Sequence, residues 1–146
     1  MSGYRIRPAV REDARLIRAL IRAARINPLG IYWRRFLVAV DDGERLLGCG
    51  QVKVHRDGSR ELASIAVVPG CRGQGVASAL IERLISAHDP PLYLTCRDHL
   101  GGFYERFGFQ VIQLADMPGY FRRVYRLVNF LRLISAAQAS LLVMRR

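Results

Sequence analysis

Apolar residues along this chain change period several times, and each change predicts an element. In REDARLIRALIRAARI (11–26), Leu16, Ile17, Leu20, Ile21 and Ala24 share one face at helical spacing. Before it, YRIRPA (4–9) alternates as a short strand does. NPLGIYWRR (27–35) then opens with turn residues and carries the single tryptophan, Trp33. FLVAV (36–40) and RLLGCGQVKVH (45–55), joined by DDGE, read as a hairpin, and RDGS (56–59) turns the chain into a third antiparallel strand, RELASIAVV (60–68). After a glycine-rich loop, Val76, Leu80, Ile81, Leu84 and Ile85 return to the helical period. DPP (89–91) stops that helix, and LYLTC (92–96) is a short buried strand. LGGFYERF (100–107) reads as a brief helix with Gly108 as its C-terminal cap, and FQVIQL (109–114) as a strand. Pro118 and Gly119 introduce a further helix, and ASLLVM (139–144) a last strand. This order predicts one mixed α/β domain over 1–146, with antiparallel hairpins in its front half.

Composition changes that picture little. The chain has 146 residues, 51% hydrophobic and 24% charged, which suits one globular domain. Cys49, Cys71 and Cys96 are odd in number and far apart, so neither a disulfide framework nor a metal site is expected, and a cytoplasmic location is. MSGYRIRPAV has no apolar core of a secretory leader. The stretch 127–144 is apolar, but Arg132, Asn129 and Gln138 argue against a membrane span. Charge changes more. The net charge is +11, and 23 residues are basic, of which only Lys53 is lysine. Such a field attracts anions: a phosphorylated cofactor, nucleic acid or anionic lipid. Arg11, Arg15, Arg18, Arg22 and Arg25 form a stripe on the first helix that reads as a solvated face, with an acidic partner as the alternative.

The candidate chemistry lies in VVPGCRGQGVASAL (67–80). Gly70, Gly73 and Gly75 between a strand and a helix suggest a close backbone approach, and a helix start favours an anion. Two phosphate loops fail the test. A P-loop would need lysine where Val76 stands, and a dinucleotide loop would need a third glycine where Ser78 stands.

What remains is Arg72-x-x-Gly75-x-Ala77 after a strand ending at Pro69, preceded by ELASIAVVP and followed by FYERFGF. Together these resemble the GNAT superfamily of acyl-CoA-dependent N-acetyltransferases, in element order over about residues 4–114. The resemblance implies a splayed mixed sheet flanked by helices, with β-strands 60–68 and 92–96 parting to admit acetyl-CoA; no metal is implied. It makes Gly73, Gln74, Gly75, Val76 and Ala77 a cradle for the pyrophosphate, with Arg72 either touching phosphate or ordering the loop. Ile65, Ala66 and Val67 would bond the pantetheine arm through their backbone, and an N–H near Val67 would serve the oxyanion. Tyr104 matches the family's general acid to the departing thiolate, and Glu61 a position where some members carry the general base. An acetyl-cysteine intermediate at Cys96 has no paired histidine to support it.

Two departures stand out: Arg97 occupies a place where many members carry asparagine, and residues 115–138 insert an Arg- and aromatic-rich helix. That insertion and 27–35 are expected to shape the acceptor side. The acceptor would be a primary amine on a protein or small molecule, with carboxylate-bearing acceptors favoured by the field and polycations disfavoured. A homodimer is compatible with all of this. The competing classes are a CoA-binding sensor without transfer, and a basic nucleic-acid or membrane-surface protein, although no nucleic-acid motif is present.

Overall fold

The computed structural model describes residues 3–135 and 140–146. Seven strands and four helices alternate along the chain: β1 (Tyr4–Pro8), α1 (Ala14–Ala23), β2 (Phe36–Asp41), β3 (Leu46–Val54), β4 (Arg60–Val67), α2 (Val76–Ser86), β5 (Tyr93–Arg97), α3 (Gly101–Glu105), β6 (Gln110–Val111), α4 (Gly119–Ser135) and β7 (Leu141–Arg145). They form a seven-stranded mixed sheet in the order β1-β2-β3-β4-β5-β7-β6. Pairs β1–β2, β2–β3, β5–β7 and β6–β7 are antiparallel. The pair β4–β5 is parallel, with Glu61 opposite Tyr93. The chain divides into two compact units, Met1–Lys53 with Leu62–His88, and Val54–Glu61 with Asp89–Arg146.

In the first unit, β2 is apolar on both faces because a helix covers each, and β3 is apolar as far as Gly50, before the buried Gln51 and Lys53. Ile17, Leu20 and Ile21 of α1 pack with Phe36, Val38, Val40, Leu46, Cys49 and Ala66. Val76 and Leu80 of α2 pack with the alternate residues Ala39, Leu47 and Val67. Strands buried on both sides read as continuous apolar runs, and FLVAV does.

The expected face of α1 needs one correction. Leu16 is 52% exposed, while Ile17, Leu20 and Ile21 are buried. The helix is also shorter than its period suggested, because residues 11–13 form a tight turn and α1 ends at Ala23. Arg25 takes a left-handed conformation (φ 57°), and the Ile26 N–H reaches back to the Ile21 carbonyl at 3.1 Å, closing the helix end.

In the second unit, Tyr93, Ile112, Met117, Phe121 and Val143 form a core, with Leu114, Tyr120 and Tyr125 packed on it. Gly108 (φ 87°) caps α3 as expected, and the Phe109 N–H bonds the Tyr104 carbonyl at 3.4 Å. The strand read at 109–114 is reduced to Gln110–Val111. Residue 139, at the start of the last expected strand, and 136–138, at the end of the insertion, lie outside the described residues.

The start of α4 is held by a residue from another element. The Asp57 carboxylate, in the β3–β4 turn, accepts the Tyr120 N–H at 3.0 Å and also the N–H and hydroxyl of Ser59. Burial pushes the Asp57 carboxyl up; the Ser59 and Tyr120 bonds, with the charge of His55, outweigh it and bring it down to about 2. Its folded value lies below the ordinary 3.8, so its contribution is present above about pH 4 and lost as pH falls toward 2. Asp57→Asn keeps an oxygen that can accept the Tyr120 N–H but removes the charge, so it is expected to flatten that segment of an acid-unfolding curve and to cost about 0.3–1 kcal/mol at neutral pH, the worth of a carboxylate at a helix N-terminus.

Candidate functional site

The first unit supplies the glycine-rich loop before α2. Gly73 and Gly75 have φ of 78° and 81°, left-handed values that glycine adopts without strain. A Cβ built at Gly70, Gly73 or Gly75 would meet nothing within 4 Å. These glycines thus serve backbone conformation and open approach rather than packing. Gly75 caps α2, whose first turn contains no acidic residue. The N–H groups of Val76, Ala77 and Ser78 have no carbonyl within the helix to bond. The result is a cluster of donors at the positive end of an eleven-residue helix, with open space before it.

The loop is braced from behind. Arg72 Nε donates to the Val67 carbonyl at 3.3 Å, the Gln74 amide donates to the Gly70 carbonyl at 3.5 Å, and the Tyr4 hydroxyl donates to the Gly75 carbonyl at 3.4 Å. Arg72 thereby ties the loop to the end of β4. Ile65, Ala66 and Val67 end β4 just before the loop, and the Val68 N–H is committed to the Leu47 carbonyl at 2.8 Å. Ala77 packs partly against the core of this unit, where only a small side chain leaves the helix start open.

β4 also contains a feature its alternation did not reveal. Ser64 is left-handed (φ 60°) within the strand, between Glu61 and Ile65. A non-glycine residue there costs energy and interrupts regular pairing. The buried Gln51 side chain donates to Ser64 Oγ at 2.9 Å and to the Gly30 carbonyl at 3.2 Å. Lys53, the single lysine, donates to the Leu29 carbonyl at 2.9 Å. Two buried polar residues of β3 thus tie down the 27–35 segment. Gln51 Oε1 is fully buried and has no hydrogen-bond partner among the described residues. The only advance signal was polar residues inside an apolar strand.

The second unit carries Glu61 and Tyr104. Glu61 is buried, and its Oε1 lies 2.8 Å from His55 Nε2. The His55 ring stacks on Tyr120 with centroids 3.5 Å apart and meets the edge of Phe121 at 5.7 Å. Burial, together with the Glu61 charge, raises the Tyr120 phenol. Glu61 is thus buried against an imidazole whose own ring is packed by Tyr120 and Phe121. Glu61 stands four residues before Ile65 in β4.

Tyr104 lies on α3, half-buried, with its ring edge-on to Phe109 (6.3 Å between centroids). Burial pushes its phenol up to about 12, and the neighbouring Cys96 adds to the shift. The group therefore stays protonated, as a proton donor must. Burial likewise pushes the Cys96 thiol up to about 11, with Asp98 contributing. Cys96 stays a thiol at neutral pH, packed 3.9 Å from Met144 Sδ, which suits a core residue and not a nucleophile. Arg97 is exposed at the end of β5. Among the described residues there is no cluster of three or more potential metal-ligating side chains, and no helix long and apolar enough to cross a membrane.

A family model described as an acetyltransferase (GNAT) domain matches residues 32–111. No curated protein sequence matches the chain. Among solved structures, N-acetylglutamate synthase from Neisseria gonorrhoeae, complexed with coenzyme A and L-arginine, superposes with a TM-score of 0.74 at 24% identity. That match covers 99% of this chain but 34% of the synthase chain. Rv2747 from Mycobacterium tuberculosis, in a complex that includes CoA, gives a TM-score of 0.70 at 21% identity, covering 95% and 97% of the two chains. An acyl-CoA N-acyltransferase from Pseudomonas aeruginosa gives 0.66 at 18%, covering 100% and 99%. At these identities the likeness carries the fold, including a mixed sheet flanked by helices.

Proposed function

The chain belongs to the GNAT acetyltransferase family, and from that membership we propose that it transfers an acetyl group from acetyl-CoA to the primary amine of an acceptor by direct attack on the thioester. The observation that carries this reading is the loop before α2, with its left-handed glycines, open approach and acid-free helix start. Acetyl-CoA, when bound, supplies an activated acyl group and a thiolate leaving group. Gly73, Gln74, Gly75, Val76 and Ala77 hold its pyrophosphate by backbone donors, with Arg72 fixing the loop. Backbone groups of Ile65, Ala66 and Val67 orient the pantetheine arm.

Glu61 takes a proton from the attacking amine, directly or through water, which an amine of ordinary pKa about 10.4 requires at neutral pH. The Tyr104 phenol delivers a proton to the departing sulfur. Acceptors bearing a carboxylate fit the +11 chain best. The N-acetylglutamate synthase neighbour, solved also with N-acetyl-glutamate, supports the same class. The 27–35 segment, anchored by Gln51 and Lys53, forms part of the acceptor wall.

Incubation with acetyl-CoA and a panel of amino acids, polyamines and peptides, read by mass spectrometry, tests this reading. Acetylated product is expected among carboxylate-bearing amines. Tight acetyl-CoA binding with no product from any amine would overturn transfer and leave a sensor.

The cradle makes a separate prediction. Gln74→Glu is expected to weaken acetyl-CoA about tenfold through repulsion of the pyrophosphate. The substitution gives up only the long 3.5 Å bond to the Gly70 carbonyl on an exposed loop, and the new charge sits near a helix start where it is tolerated, so the melting temperature without ligand should change little. Titration calorimetry and a thermal melt on one preparation read both signs.

A further inference from the structure

α4 has seventeen residues, four of them arginine and none acidic, and Phe121 is its buried residue. Its inward side is satisfied: Phe121, Tyr120 and Tyr125 pack with Tyr93, Ile112, Met117 and Val143. Its outward side is apolar as well. Leu127 is 58% exposed, Phe130 59%, Leu131 50%, Leu133 87% and Ile134 69%. Positions 127, 130, 131 and 134 follow the i, i+3, i+4, i+7 spacing of one helical face, with Leu133 beside them. Isolated exposed apolar residues are ordinary, but five within eight positions mark a surface that something else covers.

We propose that this face of α4 docks in the headgroup region of an anionic lipid bilayer. Charge selects the occupant. Arg123 and Arg126 are exposed on the turn preceding the apolar face, and no carboxylate on the helix neutralises them. A second copy would bring these cations and another chain of net charge +11 against its own kind. Anionic headgroups neutralise them, while Leu127, Phe130, Leu133 and Ile134 enter the acyl boundary. Length selects the depth. Residues 127–134 cover about 10 Å of helix, against about 30 Å of hydrocarbon, so the helix lies in the interface and does not span it.

Co-sedimentation of the full chain with phosphatidylcholine vesicles, with and without phosphatidylglycerol, tests this independently of any catalytic reading. The expected result is binding that requires phosphatidylglycerol and weakens from about 0.1 M to about 0.5 M NaCl as screening grows. Leu133→Glu with Ile134→Glu should lower the partition coefficient at least about tenfold. Arg123→Gln and Arg126→Gln should each lower it about fivefold, the worth of one basic residue at such a surface. All four positions are exposed, and circular dichroism and acetyl-CoA binding report whether the variants stay folded. Equal binding to both vesicle types, or none, would overturn the proposal. So would a dimer in light scattering that the Leu133→Glu/Ile134→Glu variant dissolves while vesicle binding is absent.

Discussion

Replacing Tyr104 by phenylalanine is expected to lower kcat about 10²- to 10³-fold, the usual worth of a positioned general acid, while acetyl-CoA affinity changes about twofold or less. The hydroxyl is the only atom lost, and the ring keeps its edge contacts with Phe103 and Phe109. Burial that holds the phenol near 12 keeps it protonated across the working range, so any alkaline limb of the rate profile below about pH 10 belongs to another group. Single-turnover kinetics on Tyr104→Phe should show slowed chemistry with unchanged binding. Turnover matching the parent would assign Tyr104 to packing alone.

Glu61→Gln is the second large effect, about 10²-fold in kcat at neutral pH, as removal of a general base gives. The substitution preserves shape and retains an oxygen that can accept from His55 Nε2, so the His55–Tyr120 stack has no reason to disperse. What it removes is proton acceptance. The loss should therefore shrink as pH rises toward the acceptor amine's own pKa, where the amine arrives already neutral. A pH series on the two proteins with one identified acceptor reads this directly. A constant ratio at every pH would make Glu61 structural.

The elements were legible where punctuation and period agree. The loop before α2 has Pro69, three glycines and then Val76, Leu80, Ile81 and Leu84 at helical spacing, and the structure places the helix start at Val76. The α3 cap at Gly108 was equally plain. Leu16 was misread because the period admits it to the α1 face, whereas the tight turn at 11–13 and the left-handed Arg25 leave a ten-residue helix with a narrower buried stripe.

Candidate site residues divide in the same way. Tyr104 and the cradle belong to contiguous motifs. The enclosure of Glu61 does not, since His55 is brought back by the 56–59 turn and Tyr120 arrives from far along the chain, held by Asp57. Ser64 shows nothing in the alternation of RELASIAVV, although its backbone is left-handed and its hydroxyl accepts from the distant Gln51. In α4 apolar residues fall on both the inward and the outward side between the arginines, so its pattern could place the helix but not choose the side that faces the core.

Thermal unfolding of the purified chain with acetyl-CoA, CoA, NADH and ATP tests the central claim most directly. At about 100 times Kd, acetyl-CoA should add about 2.7 kcal/mol and raise the midpoint by several degrees. The cradle predicts that shift for acetyl-CoA and CoA and little for the other two. No shift, or the same shift with all four, would contradict it and leave a general anion loop.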